Sequence, residues 1–276
     1  MKLGISNIAW QAKDRLKYYE LLKREKFIGL EIAPKIFLYN HRNFLKPSKS
    51  KIKKNLNEIK KYNLQLISMQ SLLYQSKDCH LFLNSKFRKN FENRMIEIIK
   101  LAGKLNIPNL VFGSPKNRII PNGMSYAIAE KIALKIFRKL GKEAKKNNTV
   151  LSIETNPIEY GTNFLTNIYQ TNRFVKKVNS QNIKMILDTG ELIINKELNK
   201  IENILKKYLK YINHIHISQP YLKSAKNFKH LSKVLKFLKK SKYNNWVSIE
   251  MRNQKKNNYQ KVKNSIKSLR KIVNLT

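Results

Sequence analysis

Short apolar, β-branched runs alternate along the chain with longer segments in which apolar residues recur at helical spacing among lysines and asparagines. Apolar residues repeating every second position mark strands, and those repeating every 3.6 positions mark amphipathic helices. The runs predict strands at 3–8, 29–33, 64–69, 109–113, 150–155, 183–188, 212–217 and 246–251. Helical stretches are expected near 12–25, 48–62, 84–105, 121–147, 163–178, 195–210, 228–241 and 257–273. Pro108 precedes the fourth strand, Pro121-Asn122-Gly123 introduces a helix, and Asn147-Asn148 separates a helix from the fifth strand. Eight strand–helix units in succession predict an α/β fold, a (β/α)8 TIM barrel with a closed parallel sheet and outer helices. The chain of 276 residues suits one such barrel, of roughly 250 residues, so a single domain over 1–276 is expected. An open doubly wound sheet is the competing arrangement. No Gly-x-Gly-x-x-Gly follows the first strand to support it.

Catalytic groups of a barrel come from the C-terminal ends of its strands. The last four strands agree in what they place there: Ile153-Glu154-Thr155-Asn156, Leu187-Asp188-Thr189-Gly190, His214-Ile215-His216-Ile217 and Ile249-Glu250-Met251. One ionisable residue at the end of an apolar strand is ordinarily an ion-pair partner or a helix cap. Four on successive strands, each costly to bury unpaired, predict one shared site. Three carboxylates and an imidazole suit one divalent ion, Mn2+, Co2+, Mg2+ or Zn2+, whose charge offsets the repulsion among the acids. His214 and His216 share a strand face. His216, nearer the mouth, is the expected ligand, and His214 a neutral, hydrogen-bonded packing residue.

Composition narrows the setting. Apolar residues make up 42% of the chain, but no run approaches the ~20 consecutive apolar residues of a membrane span. The first residues turn polar before a signal-peptide apolar region could form, and Cys79 is the one cysteine, so the reducing cytoplasm is the expected location. The formal charge is +40, carried by 47 Lys and 10 Arg. Readers of phosphate and bases favour the bidentate fork of Arg. Lysines such as Lys51, Lys53, Lys54, Lys142, Lys145 and Lys146 fall where helices face water, so the charge reads as a solvated surface rather than a nucleic-acid site.

The strand ends Ile-Glu-Thr-Asn, Leu-Asp-Thr-Gly, His-Ile-His and Ile-Glu resemble the xylose isomerase-like barrel superfamily of sugar phosphate isomerases and epimerases, over nearly the whole chain. The resemblance to its ketose 3-epimerase-like branch implies that Glu154, Asp188, His216 and Glu250 bind the ion and that Glu154 and Glu250 serve as acid and base. The reaction it implies is proton transfer on a sugar or sugar phosphate through a metal-stabilised enediolate. One departure is Glu191, where many members carry a substrate-holding histidine three residues after the aspartate. The endonuclease IV branch shares the scaffold with three zinc ions. Gln70, Gly113-Ser114 and Glu191 leave too few ligands here for that set. A phosphodiesterase or nucleic-acid-binding barrel, and a keto-sugar or cyclitol dehydratase using the same metal chemistry, are the alternatives; a homo-oligomer stays open.

Substrate contacts leave no compact motif. The expected set is Asn7 and Trp10 after the first strand, Glu31 and Lys35 around the second, Gln70 at the third, and Asn156, Glu191 and Gln219 beyond the ligand positions. Lys116 and Arg118 in Gly113-Ser114-Pro115-Lys116-Asn117-Arg118, with Arg252 after Glu250, are candidates for a phosphate. Arg252 could instead pair with Glu191 or Glu31. Trp10, Phe37 and Tyr39 could cover a sugar face.

Overall fold

The computed structural model describes residues 1–41, 43–224 and 228–275. Eight parallel strands follow one another in chain order around a closed barrel. They are β1 (Lys2–Ser6), β2 (Gly29–Ile32), β3 (Gln65–Met69), β4 (Asn109–Phe112), β5 (Val150–Ile153), β6 (Ile183–Asp188), β7 (Ile212–Ser218) and β8 (Trp246–Glu250). The helices are α1 (Arg15–Arg24), α2 (Pro34–Phe37), α3 (Lys49–Lys60), α4 (Ser85–Lys104), α5 (Tyr126–Lys146), α6 (Ile168–Val178), α7 (Thr189–Ile194), α8 (Ile201–Tyr208), α9 (Ser232–Lys240) and α10 (Asn258–Leu275). Among the described residues no helix is long and apolar enough to cross a membrane. The lysines expected at water-facing positions, including Lys51, Lys54, Lys142 and Lys146, are exposed.

The chain forms two compact units, residues 1–67, 188–210 and 214–276, and residues 68–187 and 211–213. In the first, β1 pairs with β2 through Gly4↔Gly29 and Ser6↔Glu31, and β7 pairs with β8 through His216↔Ser248 and Ser218↔Glu250. Side chains alternate between faces of a strand. Ile5, Leu30, Ile215, Ile217, Val247 and Ile249 form the apolar set, while Ser6, Glu31, His214, His216, Ser248 and Glu250 form a polar set that is buried as well. Gly29 is required by close approach: a Cβ there would stand 2.8 Å from the Leu3 carbonyl oxygen and 2.9 Å from the Gly4 Cα.

In the second unit β4 and β5 pair from Asn109↔Val150 to Phe112↔Ile153. Phe91, Phe112, Phe137, Phe174, Phe164 and Phe82 form a continuous chain of tilted and edge-on rings with centroids 4.8–5.7 Å apart. Aromatic pairs in this geometry contribute about 0.5–1.5 kcal/mol beyond their burial. Ser125 and Asn167 cap α5 and α6 by accepting from the Ile128 and Gln170 amides, satisfying donors the helices leave open.

Candidate metal centre

Three predicted ligands of the first unit converge. Asp188 closes β6 and caps α7, His216 lies on β7 and Glu250 ends β8. The Nδ1 of His216 is 3.2 Å from Glu250 Oε2 and 3.7 Å from Asp188 Oδ2, with donor atoms of the three all within 4.8 Å of one another. All three are buried. Asp188 accepts from the Glu191 amide at 2.8 Å and from the Ser218 hydroxyl at 2.7 Å. Those bonds fix its carboxylate and keep it acceptor-only. Two carboxylates meeting one imidazole nitrogen away from water repel each other unless positive charge lies among them. The donor set therefore fits a divalent ion with oxygen and nitrogen preference.

The opposite edge of the His216 ring meets Glu31. Its Nε2 lies 3.1 Å from both Glu31 carboxylate oxygens. His214 Nε2 is 3.3 Å from Glu31 Oε2 and 2.7 Å from Ser248 Oγ. Burial would raise the Glu31 pKa, but the charge and hydrogen bonds of the two histidines hold it well below the ordinary carboxylate range. Burial depresses His214, against the pull of Glu31, in keeping with the neutral packing role expected of it. Glu31, expected at the substrate, has no exposed surface; its carboxylate serves the two histidines. Arg252, expected at a phosphate or paired with Glu191 or Glu31, lies exposed.

In the second unit Glu154 follows β5, half-buried, with its amide bonded to the Phe112 carbonyl at 3.0 Å. Gly113 leaves room for its carboxylate, because a Cβ there would collide with Glu154 Oε2. Arg118, expected at a phosphate, has no exposed surface. Its Nη2 donates to the Glu154 carbonyl at 2.9 Å, and its guanidinium lies 5.7 Å from the Phe112 ring. Lys116 is exposed on the adjoining turn, which is tied down where Asn117 Nδ2 donates to the Ser76 and Cys79 carbonyls.

The remaining expected contacts divide between core and surface. Trp10 is 2% exposed and stacks on Tyr18 at 4.8 Å, so it is core rather than a sugar platform. Phe37 is buried, and the hydroxyl of Tyr39 accepts from Arg15 at 2.9 Å. Asn7 is buried, its Oδ1 accepting from the Ala33 amide at 2.7 Å. Gln70, Asn156 and Glu191 are buried, Gln219 is half-buried, and Lys35 is exposed on α2. The sequence reading missed Ser218 and Ser248, although strand alternation places them on the faces of His216 and Glu250. It also missed the space supplied by Gly113 and Gly190.

Fold and side chains together define a parallel α/β barrel with acids and an imidazole gathered at strand ends. The chain belongs to the xylose isomerase-like TIM barrel family, which matches residues 26–272. No curated protein matches the sequence. Among solved structures it is similar to a 3-keto-D-glucoside 4-epimerase from E. coli, at 17% identity over 98% of this chain and 99% of that one, with a TM-score of 0.80. It is similar to a D-psicose 3-epimerase from Clostridium cellulolyticum H10, at 19% identity over 99% and 92%, with a TM-score of 0.73. A family 2 AP endonuclease from Brucella melitensis shares 15% identity over 94% and 95%, with a TM-score of 0.71. Identities this low show a common fold.

Proposed function

We propose that the chain is a divalent-metal-dependent isomerase or epimerase of a sugar or sugar phosphate. The observation that carries this reading is the buried convergence of Asp188, His216 and Glu250; family membership and the epimerases among its structural neighbours support it. Glu154, which follows β5 as Asp188 ends β6 and Glu250 ends β8, is the fourth donor of the proposal. A bound ion would act as a Lewis acid, acidifying the C–H beside a sugar carbonyl.

The residues divide the work by their surroundings. Asp188, held by Ser218 and the Glu191 amide, is a fixed donor with little freedom to exchange protons. Glu250 has His216 as its side-chain partner, through Oε2, which suits its other oxygen to removing or returning a proton. Glu154 is the complementary acid or base, giving epimerisation if the two work on opposite faces of one carbon and isomerisation if the proton moves between carbons.

The test is elemental analysis of the purified protein beside an Asp188→Ala/His216→Ala variant, followed by NMR of ketoses and ketose phosphates in D2O. One ion per chain, lost in the variant, with deuterium entering a sugar C–H, is the expected result. No ion after reconstitution and no exchange would refute the proposal. The basic charge and the AP endonuclease neighbour favour phosphodiester cleavage as the second reading; three zinc ions per chain and nicking of abasic DNA would select it.

A further inference from the structure

Glu31 is a strand residue in the polar set of the first unit, with no exposed surface. What it touches is the far edge of the ligand imidazole. A neutral imidazole carries one proton, and the nitrogen that bears it is set by the partner of that nitrogen. A carboxylate can only accept, so Glu31 at 3.1 Å requires the proton of His216 to sit on Nε2. Nδ1, the nitrogen that faces Glu250 and Asp188, is thereby the one available to an ion. His214 steadies the carboxylate from a second side through its contact with Oε2, while Ser248 Oγ holds the same His214 nitrogen.

We infer that Glu31 is a positioning residue that accepts the Nε2 proton of His216 and so turns Nδ1 toward Asp188 and Glu250 as the nitrogen for an ion, with His214 and Ser248 holding Glu31 in place. The inference rests on the metal reading above for its purpose, but its geometry belongs to the metal-free chain. The alternative use of these groups, a second ion held directly by Glu31, His214 and His216, needs the same atoms and leaves no proton on Nε2.

Long-range 1H–15N NMR of the metal-free wild-type protein reads the tautomer directly. The expected spectrum has a proton on His216 Nε2, and Glu31→Gln, which removes the charge behind the ring, should bind Mn2+ about 10- to 100-fold more weakly by chelator competition, the usual loss when a partner behind a ligand is changed. A wild-type His216 with no proton on Nε2 would overturn the inference. So would unchanged Mn2+ affinity in a folded Glu31→Gln protein, or two ions in the wild type falling to one in that variant. If the variant fails to fold, the wild-type tautomer decides. If the wild type binds no divalent ion, the metal reading fails by itself, and the tautomer still decides the role of Glu31.

Discussion

The hydroxyl of Ser218 donates to the carboxylate of Asp188, lying 2.7 Å from Oδ1 and 2.8 Å from Oδ2, and the same oxygen accepts from the Gly190 amide at 2.9 Å. Ser218 therefore joins the end of β7 to the first turn of α7 through the predicted ligand. Ser218→Ala should leave the fold intact and weaken Mn2+ binding about tenfold or more, measured by chelator competition. Gly190→Ala should weaken binding from the other side and cost stability as well, because its Cβ would stand 2.6 Å from Ser218 Oγ and 2.9 Å from the Gln219 carbonyl carbon.

Gly113→Ala tests the room given to Glu154. The new methyl overlaps Glu154 Oε2, so the carboxylate must turn away. Turnover of a ketose substrate should fall on the order of 100-fold, the scale for displacing a reacting group by about an ångström, while the thermal midpoint changes little. Wild-type turnover in the variant would remove Glu154 from the proposed chemistry.

Glu250→Gln separates binding from proton transfer. The amide keeps an oxygen donor but cannot accept a proton as a base. Deuterium exchange into substrate should drop at least about 100-fold while the ion is retained. Full turnover with the ion still bound would show that another group moves the proton.

His80 predicts an acid limb in stability. Burial lowers its pKa below 6.5, and its Nδ1 accepts from the Phe82 amide at 3.3 Å, so the folded chain favours the neutral ring. The unfolded chain takes up a proton as pH falls through about 6.5 and the folded chain resists it, so stability declines from there down to the folded pKa. His80→Gln should flatten that decline in urea titrations at pH 7 and pH 5.

Cys79 is 1% exposed, and burial, with the Asp78 carboxylate beside it, pushes its thiol up to about 11. At pH 8 only roughly 0.1% is then thiolate, the nucleophilic form. Iodoacetamide should label the native protein far more slowly than the urea-unfolded chain. Equal rates would contradict the burial.

Much of this arrangement is legible in the residue pattern. The expected strand 183–188 is β6 itself, because a run that is apolar at all but Lys184 leads straight to the capping Asp188. Strands read one or two residues too long, as at 3–8 and 150–155, end where the chain turns to leave the sheet. The short helix α7 was missed inside an expected loop, although Asp188 followed three residues later by Glu191 resembles a capping box. Glu31 and Arg118 were read as substrate contacts and are buried against protein partners for a different reason. A polar residue near a strand end looks the same whether it faces a substrate or a partner, and one partner of Glu31 is His216, 185 positions away.

Trp10 and Trp246 are the chain's two tryptophans, and both belong to the first unit, one stacked on Tyr18 and the other 5.5 Å from the Lys2 ammonium. Indole emission is therefore a reporter confined to that unit, while the second unit has no indole signal of its own and enters only the far-UV circular dichroism, to which both units contribute. Overlaying the two optical transitions gives an internal measure of cooperativity without introducing a label.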